Sequence, residues 1–352
     1  MKRFESSLVR PSARPPVKSS HLRPARLVRR AIAGVVAALA VGFATAPAYA
    51  AAPLKIGYSD WPGFVAFQIA IDKGWFKEAG VDVDFEWFDY SASLDAFSAG
   101  KLDAVGATNG DALVTGATGA KNVMFLLTDY SSGNDMVIAK PSVKTVAGLK
   151  GKKVAVEVGL VDHLLLDTAL EKAGLKESDI TLVNAKTNEL PQVLASSSDV
   201  AAIGVWQPSA GEALKRVPGS RPIFTSANAP GLIYDAITVN PASLATRKAD
   251  WAKVLKVWYR CVAYVNDPKT QADAVKIMSG RDGLTPEQYL PLLKGTHLLD
   301  AAAAKKAFVK GDGLDSVYGS SVNADKFNVR NAVYKTSQDV GTYIDPSLTN
   351  AP

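Results

Sequence analysis

Between Leu54 and Asn240, short β-rich apolar runs alternate with stretches of helical periodicity. Few folds are open to such a chain, because strand, helix and strand in succession close as a parallel pair with the helix packed across it. The spacing predicts strands over 54–59, 81–87, 103–107, 123–128, 153–157, 180–183 and 200–206. Helices are predicted near 64–78, 91–99, 110–119, 161–174, 188–196 and 207–216, and Gly74, Gly80, Gly100, Gly174 and Gly219 fall where those patterns stop, as helix ends and turns require. Beyond Asn240 the pattern is helical, over 247–266, 270–279, 286–294, 301–308 and 325–340. The expected fold class is α/β.

Two β-like segments, 135–140 and 234–240, are each followed by a proline (Pro141 and Pro241) and enclose a self-contained βαβαβ unit. They read as crossings between two lobes. Lobe one is expected to comprise 54–138 plus 238–352, with the C-terminal helices, and lobe two 139–237. Each lobe is expected to hold a mixed sheet flanked by helices, with a ligand cleft between the two.

The first 50 residues stand outside this pattern. They hold nine Lys or Arg and one acid, Glu5; an uncharged run over 31–43 follows, and Ala48-Tyr49-Ala50 supplies a small-x-small cleavage pattern. This is the layout of a cleaved signal peptide, 1–50, whose apolar run is too short to anchor in a bilayer. Arg29-Arg30 fits a twin-arginine signal only loosely, and the general secretion route is equally open. Nine of the chain's 40 basic and one of its 34 acidic residues lie in this leader, so the rest carries a formal charge of −2 where the whole carries +6. No basic stripe remains for nucleic acid. The mature chain is expected to be a periplasmic monomer. Cys261 is the only cysteine, so no intramolecular disulfide forms, which a chain of this length tolerates.

His163, His297 and Cys261 are far apart in sequence, without zinc-ligand spacing, and neither a Gly-rich phosphate loop nor a Gly-x-Ser-x-Gly elbow occurs. No catalytic residue, metal or cofactor is expected. Polar and aromatic residues instead gather where strands end: Ser59, Asp60 and Trp61; Trp87, Phe88, Asp89 and Tyr90; Asn109 and Asp111; Tyr130, Asn134 and Asp135; Glu157, Asp162 and His163; Trp206 and Gln207; Tyr234 and Asp235. Each has an ordinary explanation. Asp111, Asp162 and Asn109 suit helix starts. One of Trp87 and Phe88 suits the core, Asp89 and Tyr90 suit a surface turn, His163 suits a structural hydrogen bond, and Asp235 suits a lysine partner. Taken together they share one end of two sheets, the place where open α/β sheets hold ligands. They also share a sign, since these loops contain acids and no Lys or Arg. Such a lining attracts cations and repels anions, and its aromatic faces favour planar cations.

Ile56-Gly57-Tyr58, the turn Gly74-Trp75-Phe76-Lys77-Glu78-Ala79-Gly80-Val81, the helix end Phe97-x-x-Gly100-Lys101-Leu102-Asp103 and Leu149-Lys150-Gly151-Lys152-Lys153-Val154-Ala155-Val156 resemble the nitrate/sulfonate/taurine (NMT1-like) class of periplasmic solute-binding proteins. The resemblance runs from about 54 to 265. It implies a type II periplasmic-binding-protein fold that closes on a small molecule and delivers it to the membrane permease and ATPase of an ABC importer. Oxyanion-binding members usually follow lobe two's first strand with Gly-Ser or Gly-Thr, whereas here the stretch is Glu157-Val158-Gly159-Leu160-Val161-Asp162-His163. Asn109-Gly110-Asp111, Asn134-Asp135 and Trp206-Gln207-Pro208 resemble a narrower group, the binding proteins associated with urea carboxylase systems, which handle guanidine.

The resulting expectation is a binding protein for a small nitrogen-rich cation, guanidine first. Asp60, Asp135, Glu157 and Asp162 are the expected carboxylate partners, joined by Asp235. Trp61, Trp206 and Tyr234 are the expected walls, and Asn109 and Asp111 orient the ligand. A neutral urea or amide, a sulfonate- or nitrate-type anion, a thiamine-pyrimidine-type enzyme and a secreted sensor subunit are the alternatives.

Overall fold

The computed structural model describes residues 52–351; the expected signal peptide lies outside the described residues. Among the described residues eleven strands occur: β1 (Leu54–Tyr58), β2 (Val83–Trp87), β3 (Ala104–Thr108), β4 (Val123–Ser131), β5 (Asp135–Ala139), β6 (Lys153–Val156), β7 (Thr181–Asn184), β8 (Val200–Trp206), β9 (Arg221–Thr225), β10 (Tyr234–Val239) and β11 (Thr296–Leu298). They form two mixed sheets, one of six strands in the order β11-β4-β10-β3-β1-β2 and one of five in the order β7-β6-β8-β5-β9. The segments read as crossings each belong to a single sheet. β5 pairs with β8 and β9 in the five-stranded sheet, and β10 pairs with β3 and β4 in the six-stranded one.

Within each sheet one strand runs against its neighbours. β10 is antiparallel to β3 and β4, and β5 is antiparallel to β8 and β9. The amino-terminal start of an antiparallel strand lies beside the carboxyl ends of its neighbours. The first residues of β5 and β10 therefore share an edge with the last residues of β8, β3 and β4.

The larger core lies on the six-stranded sheet. The helix Lys248–Asn266 presents Trp251, Val254, Leu255, Trp258, Cys261, Val262 and Val265 on one buried face, the spacing of a single apolar stripe at 3.6 residues per turn. Trp258 packs on Phe67, whose ring also meets Phe76 and Phe85. In the five-stranded sheet Ile138, Ile203 and Val205 pack on Leu190, Leu194, Ala210 and Ala213.

Two stretches depart from the sequence pattern. The helix expected near 64–78 is three short helices, Pro62–Val65, Phe67–Asp72 and Trp75–Glu78, the last restarting after Gly74 at φ +68°, a conformation glycine adopts without strain. The final helix is Val317–Arg330 rather than 325–340. Ser316 caps its start by accepting from the Tyr318 N–H, and the chain leaves it through Ala332 at φ +56°.

Candidate functional site

Register decides which side chains meet. Asp235, second in β10, lies opposite Asp129 of β4 and, on its other side, opposite Thr108 of β3. Opposed residues of an antiparallel pair project to the same face, so the two carboxyls face each other. In the other sheet Asp135, first in β5, lies opposite Trp206, last in β8. Asp111 and Asp162 arrive from the first turns of the helices Asn109–Ala117 and Val161–Lys172.

These elements surround a small pocket of about 10 Å³, far below the range of about 300–1,000 Å³ typical of sites for drug-sized ligands. Trp61, Phe64, Tyr90, Thr108 and Asp235 wall it from the six-stranded side, Asp135, Val161 and Trp206 from the five-stranded side, with Ile233 completing it. Tyr90 and Trp206 meet edge to face across the two sheets, with ring centroids 5.2 Å apart. The remaining acids stand one contact behind the wall. The Tyr90 hydroxyl donates to Asp111 Oδ2 at 2.6 Å and accepts from the Thr108 N–H at 3.0 Å. Trp61 Nε1 donates to Asp129 Oδ1 at 3.0 Å. Gly63 makes room for Asp129, since a Cβ there would lie 1.8 Å from Oδ2.

Asp111, Asp129, Asp135, Asp162 and Asp235 are each at most 2% exposed. Asp129 Oδ2, Asp135 Oδ2, both Asp162 carboxyl oxygens and Asp235 Oδ2 have no hydrogen-bond partner in the protein, nor does Trp206 Nε1. Buried polar atoms are as a rule paired, so these five acceptors, two of them on Asp135 and Asp235 in a wall with no Lys, Arg or His, are ones the chain does not itself satisfy. Among the described residues no group of His, Cys, Asp or Glu has a metal-holding arrangement.

The electrostatics follow from burial. It pushes the Asp111 carboxyl up to about 7 against the opposing pull of the Tyr90 and Thr108 hydrogen bonds. Burial likewise raises Asp129 to about 7, opposed by the Trp61 N–H that it accepts. Asp135 is raised to about 7 by burial, with Ser131 opposing and the charges of Asp129 and Asp111 adding to the rise. Asp162 and Asp235 are held well above the carboxylate range, by burial first and then by neighbouring acids.

The expected site residues divide by location. Trp61, Asp135, Trp206 and Asp235 wall the cavity, and Asp111 and Asp162 stand next to it. Asp60 is outside the wall, beside the Trp206 indole, whose N–H eases its carboxyl without reaching hydrogen-bond geometry; burial holds Asp60 at about 6. Tyr234 is not in the cavity: adjacent strand residues point to opposite faces, so while Asp235 faces in, Tyr234 packs on Tyr130 at 5.9 Å in a separate hollow with His297. Asn109 is spent within the protein, donating to Ser320 Oγ and Ser321 Oγ and accepting from the Tyr234 N–H. Glu157 accepts from the N–H and hydroxyl of Thr187, pinning its own loop. His163 accepts from the Gly159 N–H at Nδ1 and so turns an Nε2 donor to Glu177.

Sequence reasoning missed Asp129, and it placed Tyr90 among the strand-end aromatics, with a surface turn as the ordinary alternative, without giving it a role in the site. β4 runs three residues past the expected end, and a carboxylate following the apolar run Val123–Leu127 inside a strand was the available signal.

Over 170 residues the chain is 35% identical to a candidate binding protein of Brucella abortus, a match covering 47% of this chain and 52% of that one; it therefore spans about half the length of this relative. The periplasmic aliphatic sulphonate binding protein SsuA from Escherichia coli has the same fold, with a TM-score of 0.70 at 19% identity over 84% of this chain and 98% of that one. The alkanesulfonate-binding protein SsuA from Xanthomonas axonopodis pv. citri, bound to MOPS, gives 0.68 at 18% identity over the same shares. The fold is thus the two-sheet α/β fold of periplasmic binding proteins, and with residues 61–271 matching the family described as NMT1/THI5 like, the chain belongs to that family.

Proposed function

We propose that this protein is the solute-binding component of an ABC importer and captures a small nitrogen-rich cation, unsubstituted guanidinium, in the periplasm. One observation carries the reading: a small pocket without a basic side chain, lined by Asp135 and Asp235 and backed by Asp129 and Asp162, four buried acids that leave five carboxyl oxygens unpartnered. Guanidinium is planar, offers N–H donors along every edge and no acceptor, and presents flat faces to indole and phenol rings. Trp61, Tyr90 and Trp206 supply such rings in the wall. In this reading 54–138 with 238–352 and 139–237 are two lobes that close over the ligand, a shift between open and closed populations that a permease reads.

The sulfonate binders of the same fold take anions. A sulfonate here would add negative charge among five buried acids, and a tail would exceed the cavity. Urea is also planar but brings a carbonyl oxygen, for which the wall offers one unpartnered donor, Trp206 Nε1. Cys261 is deep in the core and His297 lines another hollow, so neither a thiol nor an imidazole lines this pocket.

Calorimetry of the purified protein with guanidinium, urea, taurine and nitrate tests the proposal. Saturable binding of guanidinium alone, or at least tenfold tighter than urea, is expected; binding of taurine or nitrate with no response to guanidinium would overturn it.

A further inference from the structure

Resting on the reading of this cavity as a cation site, we propose that capture is an exchange: the entering cation expels one proton from the carboxyl cluster, so the buried charge is unchanged by binding.

The geometry leaves little alternative. Asp129 on β4, Asp135 on β5, Asp235 on β10 and Asp111 and Asp162 on two helix starts occupy one buried space. The groups facing them from the packed elements are Trp61 and Asp60 after β1, Tyr90 after β2, Thr108 on β3, Thr128 and Ser131 on β4, Glu157 after β6, Trp206 on β8 and Tyr289 on the helix Pro286–Lys294, with Asp282 beside Asp60. None is a cation. The nearby bases are engaged elsewhere: Arg330 pairs with Asp167 and Glu171, His163 with Glu177, and Arg281 lies on the rings of Trp87 and Tyr58. Carboxylates crowded into a low dielectric cannot all ionise, and one member of a facing pair keeps a proton. Asp129 already accepts the Trp61 N–H, which favours its ionised form, so Asp235 is the member that holds the proton.

When a monocation arrives, its N–H groups donate to the unpartnered oxygens, which favours the ionised form of every carboxyl that accepts. The O–H bond at Asp235 breaks and its electron pair stays on oxygen. The proton leaves to solvent as the cation enters, so one positive charge replaces another and nothing is oxidised or reduced. Burial, which holds these same carboxyls above their ordinary range, acts in the same direction.

The test is calorimetry with dilute guanidinium chloride at pH 7 in two buffers of different ionisation enthalpy, phosphate and Tris. The apparent binding enthalpies are expected to differ by the amount of about one proton released per cation, and Kd is expected to rise about tenfold for each pH unit lowered between 7 and 5. Asp235→Asn, checked for folding by circular dichroism, is expected to remove the buffer difference. Binding with buffer-independent enthalpy and a flat Kd from pH 5 to 8 overturns the exchange and leaves the cation reading standing. Failure of guanidinium to bind at all overturns both.

Discussion

Replacing Asp135 by its neutral isostere should separate stability from binding. Burial raises this carboxyl from the ordinary 3.8 to about 7, a rise of roughly three units, and each unit corresponds to about 1.4 kcal/mol. The folded chain therefore binds this proton more tightly than the unfolded chain does. The associated stability is fully present below about pH 4 and is lost as pH rises through about 7, to a total of about 4 kcal/mol. Asp135→Asn removes that loss while introducing an amide that must find partners, an opposing effect of about 1–3 kcal/mol. The ligand-free variant is expected to be more stable than the parent by about 1–3 kcal/mol at pH 7.5, or about 2–6 °C in Tm, with the gain gone by pH 4.5. Loss of a charge-assisted acceptor should weaken guanidinium binding about 10- to 100-fold. Scanning calorimetry without ligand at the two pH values, with titration calorimetry at pH 7.5, measures both effects. A variant less stable than the parent at pH 7.5, or equally stabilised at both pH values, would refute the electrostatic reasoning.

Three further substitutions probe separate parts of the structure. Gly63→Ala would drive a methyl group into Asp129 Oδ2 and should lower stability by about 1–3 kcal/mol and ligand affinity by more than tenfold, read by thermal melts and titration. Tyr234→Phe alters the aromatic hollow on the opposite face and should leave Kd within about twofold; a larger change would mean the strand face is wrongly assigned. Asn109→Ala removes three buried hydrogen bonds and should cost about 2–4 kcal/mol in unfolding free energy, with Kd little affected.

The sheets were legible because buried parallel strands announce themselves as apolar runs, and β1, β3, β6 and β8 lie within a residue or two of the predicted spans. The edge strands β9 and β11 were not, because Arg221–Thr225 and Thr296–Leu298 carry too little apolar pattern. Of the site, the acidic sign could be read, since it needs only the residue types at strand ends. Which acids converge could not, because that depends on register: nothing in Tyr234-Asp235 says which of the two faces inward, and nothing in Leu126-Leu127-Thr128-Asp129 says that β4 continues far enough to oppose β10. Glu157 and Asn109 illustrate the same limit, for their partners Thr187 and Ser320 are 30 and 211 residues away.

The facing pair Asp129 and Asp235 has a consequence for the life of the protein in the cell. If the proposed cation binds there, a scaffold that keeps such a cluster inside holds part of its own cohesion in reserve, to be completed by that ligand. Loaded molecules unfold less often than empty ones, in proportion to ligand concentration over Kd, and proteases act on the chains that open. The amount of this receptor that persists should therefore track the supply of its ligand, with turnover fastest under starvation even when synthesis is constant.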